Sequence, residues 1–224
     1  MALKHHYSNY PFEIGIDEAG RGPMFGRVYI GAVVIPDDES IDWSMVKDSK
    51  KFTSKKKIKE AAEHIKEHAS YWNVSWEDES TIDKINIRQA TLKGMHCCIK
   101  NILEQCSDLA TQYNTMLLVD GNDFKPYMTI TEEGELAAFK HMCIKGGDNE
   151  YITIAAASIL AKVHRDEYIE ELCEQYPKLS EYYSIDSNKG YGAKVHMEGI
   201  KKHGITKWHR KSFGLCKSSN IIEI

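Results

Sequence analysis

Gly15-Ile16-Asp17-Glu18-Ala19-Gly20-Arg21-Gly22-Pro23 places two adjacent carboxylates at the end of a short apolar run and follows them with an arginine between glycines. Side chains alternate faces along a strand, so neighbouring acids cannot both enter a packed core, and an unpaired buried acid is strongly destabilising. A bound cation removes this penalty. The glycines let backbone N–H groups approach a ligand, and the arginine fork suits phosphate. The stretch therefore predicts a metal beside a phosphodiester.

The composition is that of a globular chain. Its 224 residues are 42% hydrophobic and 28% charged, and no apolar run reaches the roughly 18 to 20 residues that a membrane helix needs. The N-terminus has no apolar segment typical of a secretory signal. Six cysteines are scattered without a C-x-x-C pair, which favours reduced thiols over disulfides or zinc. We expect a soluble, cytoplasmic protein without a membrane partner.

The charge is unevenly distributed. Residues 189–217 carry a net charge of +7, whereas the whole chain carries −4, so the remainder is acidic. A second basic run at residues 47–59 contains seven lysines and one aspartate. Local positive surface on an acidic body suits a polyanionic partner that must also meet a carboxylate site. For residues 55–59 alone, a solvated helix face is the better interpretation.

Periodicity predicts alternating strands and helices. Strands are expected at residues 12–16, 28–35, 71–76, 116–119 and 141–145, and the first two are expected to form a hairpin. Helices are expected from Ser54, as an N-cap, to about residue 68, over about 87–106, over 152–176 and over 195–203. This alternation indicates an α/β fold.

Acids follow three of these predicted strands. Asp17 and Glu18 end the first, Asp120 follows residues 116–119, and Asp148 follows 141–145. Taken singly, Asp120 could form an Asp-Gly turn and Asp148 could begin a helix. If the strands are neighbours, four carboxylates converge, and their repulsion calls for hard divalent cations such as Mg²⁺. Two such ions about 3.5 to 4 Å apart can support phosphoryl transfer.

A series of motifs along the chain resembles, in order, those of the type 2 ribonuclease H, or ribonuclease HII, family. Besides the opening stretch, they are Asp48-Ser49-Lys50-Lys51, Ile85-Asn86-Ile87 with Ala90-Thr91-Leu92, Asp120-Gly121-Asn122 and Gly147-Asp148, the segment 156–163 with Arg165-Asp166, Lys189-Gly190-Tyr191-Gly192, and His209-Arg210-Lys211-Ser212-Phe213. The resemblance covers residues 15 to 213.

The resemblance implies an RNase H-like α/β fold, with a mixed central sheet flanked by helices and a helical C-terminal extension. We assign residues 1–176 to the catalytic domain and residues 177–224 to a basic extension that packs on it and contributes to hybrid binding. The implied activity is endonucleolytic hydrolysis of RNA in RNA–DNA hybrids and nicking 5′ of ribonucleotides in duplex DNA, with roles in ribonucleotide and primer removal during replication and repair. The expected cofactors are two Mg²⁺ or Mn²⁺ ions, and the expected state is a monomer.

The resemblance also assigns residues to roles. Asp17, Glu18, Asp120 and Asp148 are expected to be the catalytic, metal-binding acids. Gly20, Arg21 and Gly22 are expected to read the 2′-hydroxyl at the RNA-to-DNA junction through backbone contacts, and Tyr191 is expected to pack on the sugar there. Phosphate contacts are expected from Lys50, Ser158, Lys162, Arg165 and Arg210, although a solvated helix face is an alternative for Lys162 and Arg165.

Three residues depart from the family pattern. Arg27 stands where proline is usual, and Phe52 stands where leucine is common. Ala193 stands where threonine usually follows the tyrosine loop, which we define as residues 189–192. None of the three is a predicted catalytic acid. We therefore expect these departures to affect the geometry at the RNA-to-DNA junction rather than the acids. Alternative interpretations are a junction resolvase or integrase-type strand transferase, which would share the acids, and a silent hybrid-binding module, which would be expected to lack one.

Overall fold

The structure, a computed structural model, describes residues 3–106, 108–109, 111–131 and 133–224. The other positions of the predicted catalytic domain lie outside the described residues. The strands are β1 Phe12–Ala19, β2 Val28–Val34, β3 Tyr71–Glu77, β4 Thr115–Asp120, β5 Met128–Ile130, β6 Leu136–Ala138 and β7 Lys140–Ile144. The α-helices are α1 Lys55–His68, α2 Glu79–Ile85, α3 Ile87–Leu103, α4 Ile152–Gln175, α5 Lys178–Tyr183, α6 Ile185–Asn188 and α7 Lys194–His203. Short 3₁₀ helices lie at Ser49–Lys51, Gly147–Asn149 and Gly214–Ser218.

The chain divides into two units. The first comprises Met1–Ala19, Ile30–Ser75 and Leu92–Val163, and the second comprises Gly20–Tyr29, Trp76–Thr91 and His164–Ile224. This division differs from a single cut after residue 176, because two short segments from the first half of the chain join the C-terminal residues. The assignment of residues 1–176 to catalysis and of residues 177–224 to hybrid binding stays a prediction.

A five-stranded mixed sheet has the strand order β3-β2-β1-β4-β7. β1 and β4 run parallel with Ile16 beside Val119, and β4 and β7 run parallel with Asp120 beside Ile144. The carboxyl ends of parallel strands meet at one edge of a sheet. This topology therefore brings the ends of β1, β4 and β7 together, as the sequence analysis required.

Glycines let α4 approach the sheet in the first unit. A Cβ on Gly15 would lie 2.3 Å from the Thr153 backbone, and one on Gly31 would lie 2.2 Å from the Ala157 carbonyl oxygen. Helix α1 packs in the same apolar cluster as this part of α4. On the opposite face of β2, Gly94 of α3 packs against Ile30. Helices thus cover both faces of the sheet.

The second unit has its own apolar core. Phe25, Ile169, Tyr183 and Ile200 are buried together there with residues from α5, α6 and the C-terminal segment. Gly199 allows close packing in this core, because its Cβ would lie 2.1 Å from the Tyr182 carbonyl oxygen.

The five predicted strands and four predicted helices are present, with small shifts in their ends. Helices α2, α5 and α6 and the β5–β6 hairpin, which are short, were not predicted. Ser54 holds the N-cap position of α1, but its side chain makes no capping hydrogen bond. Within the described residues, none of the helices is both long and apolar enough to cross a membrane.

Candidate active site and recognition loop

Two of the predicted acids lie near the carboxyl ends of neighbouring parallel strands. Asp17 of β1 is 5% exposed, and its carboxylate accepts a hydrogen bond of 2.7 Å from the Glu18 backbone N–H. Asp120 of β4 accepts 2.8 Å from the Gly147 N–H, which belongs to the turn after β7. This bond ties the end of β4 to the segment that carries Asp148.

Asp148 is buried in the 3₁₀ helix after β7, with 2% of its surface exposed. One oxygen accepts a hydrogen bond of 3.0 Å from Asn149 Nδ2, and the other accepts 3.1 Å from Lys50 Nζ. Burial disfavours the charged form of Lys50, but its hydrogen bond to Asp148 and the nearby carboxylates raise its pKa overall. Lys50 therefore balances the charge of a buried acid.

The acids repel one another. Burial, followed by the charges of Glu18 and Asp120, raises the pKa of Asp17 well above its usual value. Burial and the charge of Asp148 likewise raise the pKa of Asp120. Excess negative charge at buried oxygens is the electrostatic situation that a divalent cation relieves.

The donor set consists of carboxylate oxygens, which Mg²⁺ and Mn²⁺ prefer. As the side chains stand, no three His, Cys, Asp or Glu side chains within the described part of the chain form a cluster that could hold a metal ion. The residues fit such an ion by their chemistry and mutual repulsion, and the predicted metal site stays a prediction.

Ser158 contacts an acid rather than the surface. It is 4% exposed on α4, its hydroxyl lies 3.0 Å from that of Ser49, and its hydrogen bond to Asp17 favours the charged carboxylate. Since Asp17 accepts, Ser158 accepts in turn from Ser49. The predicted phosphate contact at Ser158 disagrees with this burial. Ser49 was missed as a site residue, although it lies in the quoted Asp-Ser-Lys motif.

The predicted recognition residues lie in the second unit. Gly20 is buried with φ +93°, and a Cβ there would lie 2.3 Å from Arg165 Nε. Gly22 is exposed and faces the Tyr191 ring, whose Cε1 atom would lie 3.5 Å from an added Cβ. Arg21 is exposed and Tyr191 is 51% exposed. The structure thus brings the Gly-Arg-Gly segment beside Tyr191.

Arg210 organises this segment from inside. None of its surface is exposed, and its guanidinium donates to the carbonyls of Gly20 at 2.6 Å, Arg21 at 3.1 Å, Pro23 at 2.7 Å and Gly26 at 2.8 Å. Burial, then the charge of Arg165, lowers its pKa to about 9, so it stays cationic at neutral pH. The predicted phosphate contact at Arg210 disagrees with this burial, because the donors hold the loop.

Arg165 has a similar role. It is 3% exposed, and its Nη2 donates to the Lys189 carbonyl at 2.7 Å, in the tyrosine loop. This burial disagrees both with a phosphate contact and with a solvated helix face. Lys162 is half-buried on α4. Of the five predicted phosphate contacts, Lys50 and Lys162 therefore retain exposed surface for such a role.

The family departures have local explanations. The Arg27 guanidinium lies 3.7 Å from the Trp76 ring centroid and 4.3 Å from that of Tyr168, an aromatic stack that proline could not make. Ala193 is the N-cap of α7 and offers no side-chain cap, so threonine there would add a capping hydroxyl. Phe52 packs against the core of the first unit beneath Lys47. We find no direct effect of these residues on the acids.

Comparisons with known proteins identify the family of this chain. The family model Ribonuclease HII matches residues 14–216. A Ribonuclease HII from Cytophaga hutchinsonii is 38% identical over 213 residues, which cover 95% of this chain and 94% of that protein. The crystal structure of ribonuclease H2 from Pyrococcus horikoshii OT3 has a TM-score of 0.70 at 22% identity, covering 92% of this chain and 95% of that one.

A more distant structure shares the fold. Bst-RNase HIII in complex with Mn²⁺ has a TM-score of 0.59 at 19% identity, covering 93% of this chain and 65% of that one. The match of the family model to most of the chain leaves the resolvase, integrase and silent-module alternatives without support. With its acids at three strand ends and its sequence matched from residue 14 to residue 216, the chain belongs to the ribonuclease HII family and is a ribonuclease H.

Proposed function

We propose that this enzyme hydrolyses the RNA strand of RNA–DNA hybrids and nicks duplex DNA on the 5′ side of an embedded ribonucleotide. The observation that carries the proposal is the placement of the acids: Asp17 and Asp120 lie on the neighbouring parallel strands β1 and β4, and the buried Asp148 follows β7. Burial, together with the repulsion between these acids, raises the pKa values of Asp17 and Asp120. The enzyme would act as a monomer and would remove ribonucleotides and primers during DNA replication and repair.

Asp17, Glu18, Asp120 and Asp148 would hold two Mg²⁺ or Mn²⁺ ions. When bound, such ions lower the pKa of a water and stabilise the leaving 3′ oxygen, which leaves 3′-hydroxyl and 5′-phosphate ends. The chain's own groups prepare this site. Ser158 fixes the orientation of Asp17, the Gly147 N–H fixes Asp120, and Lys50 balances Asp148.

Recognition would fall to the second unit. Gly20, Arg21 and Gly22 would approach the 2′-hydroxyl through their backbone, and the exposed ring of Tyr191 would pack on the adjacent sugar. Arg210 and Arg165 would act indirectly, by holding these loops in shape. Lys50, Lys162 and the basic residues of 177–224 would supply sequence-independent contacts to the phosphates.

The test uses three duplexes of one sequence: all DNA, DNA with one ribonucleotide, and RNA paired with DNA. We expect a single nick 5′ of the ribonucleotide, multiple cuts in the RNA strand, an intact all-DNA duplex, and no cleavage in EDTA. Cleavage of the hybrid without the nick would overturn junction recognition. No cleavage of either ribonucleotide-containing substrate with Mg²⁺ or Mn²⁺ would overturn the whole proposal.

A further inference from the structure

Two buried histidines connect the C-terminal segment to the tyrosine loop within the second unit. His196 of α7 and His209 expose none of their surface, and their Nε2 atoms lie 3.1 Å apart. One of these two nitrogens must donate and the other must accept. The surrounding groups decide which does which.

Thr206 determines which of the two histidines donates the hydrogen bond between their Nε2 atoms. Its backbone N–H lies 3.0 Å from His209 Nδ1, and because an N–H can only donate, this nitrogen must accept. Neutral His209 then carries its proton on Nε2 and donates to His196. His196 in turn carries its proton on Nδ1, which lies 2.8 Å from the Tyr191 carbonyl oxygen. The hydrogen bonds thus run in one direction, from Thr206 to Tyr191.

The surroundings favour this neutral state. The rings of Tyr183 and Phe25 pack edge-on against His209, at centroid distances of 4.9 and 5.0 Å. A proton added to His196 Nε2 would point at the N–H of His209, and one added to His209 Nδ1 would displace the hydrogen bond from the Thr206 N–H and leave the Thr206 hydroxyl, 2.9 Å away, as its acceptor. Either charge would be buried, and either would break a hydrogen bond of the neutral pair.

The last acceptor of this series belongs to the tyrosine loop. The Tyr191 carbonyl also accepts 2.8 Å from the Ala193 N–H, and Gly190, with φ +82°, and Gly192 flank the residue. The residues before the ring are held as well, since the Tyr191 N–H donates to the Asn188 carbonyl at 3.0 Å and the Met24 N–H donates to the Gly190 carbonyl at 2.9 Å. The two hydrogen bonds to the Tyr191 carbonyl fix the peptide that follows the ring, and so complete the orientation of the exposed side chain.

We propose that His196 and His209 are positioning residues for substrate recognition, forming a fixed hydrogen-bond relay that orients Tyr191 toward the junction sugar. This inference rests on the proposed function, in which Tyr191 contacts that sugar. Neither histidine touches the substrate. Their contribution is to select one loop conformation before binding, so their loss should raise KM more than it lowers kcat.

The first test needs no variant. Two-dimensional ¹H–¹⁵N NMR of the imidazole rings at neutral pH identifies which nitrogen of each histidine carries the proton. We expect His209 as the Nε2–H form and His196 as the Nδ1–H form. The opposite assignment for either ring, or a charged ring, would overturn the relay.

The second test compares His196→Ala with His196→Asn on the single-ribonucleotide duplex. Both remove the bond to His209, but the asparagine Nδ2 can replace Nδ1 as the donor to Tyr191. We expect KM to rise about fivefold in His196→Ala and to return near the wild-type value in His196→Asn, despite similar losses in Tm. Equal KM values for both variants would reduce the histidine to a structural role and overturn the proposal.

Two further variants separate this inference from the proposed function. His203→Ala, on the same helix, removes a ring stacked on Tyr182 and should leave KM unchanged. Tyr191→Ala should raise KM and abolish the additional effect of His196→Ala in the double variant. A silent Tyr191→Ala would overturn the sugar contact of the proposed function, whereas full additivity in the double variant would overturn only the relay.

Discussion

Arg210 Nη2 donates a hydrogen bond of 2.6 Å to the carbonyl oxygen of Gly20, a residue 190 positions earlier in the chain. The other donors of the same guanidinium hold three further carbonyls of the segment 20–26. A buried cation at position 210 thus shapes the loop that follows the first two predicted catalytic acids.

Arg210→Lys tests whether this residue shapes the loop or binds phosphate. Lysine keeps the charge but cannot reproduce a planar fork that reaches several carbonyls. We expect a loss of unfolding free energy of about 2 to 4 kcal/mol and a KM raised on every ribonucleotide-containing substrate. Chemical denaturation and steady-state kinetics measure both.

Salt dependence distinguishes the two roles of Arg210. A loop-shaping residue leaves the slope of log KM against log salt unchanged, whereas a lost phosphate contact lowers its magnitude by about one. Arg210→Gln should therefore retain the wild-type slope. A reduced slope together with an unchanged Tm would contradict the buried role.

Gly20→Ala and Gly22→Ala should separate folding from recognition. Alanine at Gly20 would adopt φ +93° and meet Arg165 at 2.3 Å, so we expect destabilisation by about 1 to 3 kcal/mol. Alanine at Gly22 meets only the Tyr191 ring at an ordinary 3.5 Å. We expect Gly22→Ala to keep the wild-type Tm but to nick the single-ribonucleotide duplex more slowly, because the methyl blocks backbone approach. Unimpaired nicking would argue against recognition through this backbone.

Acid should weaken the protein through the buried histidines. Burial, then the charge of His196, lowers the pKa of His209 to about 3, and burial lowers that of His196. Because the unfolded chain binds these protons near pH 6.5, the unfolded state holds more protons below that value. Stability therefore falls from about pH 6.5 toward pH 3.

The raised pKa values of Asp17 and Asp120 act in the opposite direction, since the folded state then binds more protons than the unfolded one. A comparison with His209→Asn isolates the histidine contribution. We expect the variant's unfolding free energy to fall less steeply between pH 6 and 4, by up to about 1.4 kcal/mol per pH unit. Parallel pH profiles would contradict a neutral buried His209.

Lys50→Met should strengthen the dependence of stability on divalent metal. Asp148 would lose the ammonium that lies 3.1 Å from its Oδ2, leaving a buried carboxylate less balanced. We expect the metal-free variant to lose about 1 kcal/mol and to gain more in Tm from added Mn²⁺ than the wild type does. Lys56→Met, which removes an exposed ion pair with Glu60, is the matched control. Equal Tm gains in all three proteins would show that Lys50 does not substitute for a cation.

Local patterns predicted the strands of the sheet because short runs of apolar and β-branched residues mark them, and three of these runs lead into acids. The close packing of Gly15 and Gly31 against α4 could not be predicted from local patterns, because the residues of α4 that they contact lie more than a hundred positions later in the chain. The short helices α5 and α6 were missed because too few residues repeat in them to establish a period.

The acids were easier to predict than the groups that support them. Asp17, Asp120 and Asp148 follow strands, and parallel pairing brings strand ends together. Arg165 and Arg210 resembled phosphate contacts because a sequence shows charge but not burial. To distinguish a phosphate-binding arginine from one that supports a loop, one must know which backbone carbonyls need a hydrogen-bond donor in the folded chain. That depends on the tertiary structure.

Asp120→Asn tests whether the charge of the strand-end acids drives cleavage. Asparagine Oδ1 can still accept the hydrogen bond from the Gly147 N–H, so the substitution removes charge while keeping this hydrogen bond. Asp37→Asn, at an exposed acid 83% accessible, is the control. Cleavage of the single-ribonucleotide duplex and its binding by fluorescence anisotropy are measured on the same samples with Mg²⁺. We predict a rate reduced on the order of 10³-fold with binding retained, and full cleavage by Asp120→Asn would contradict the account.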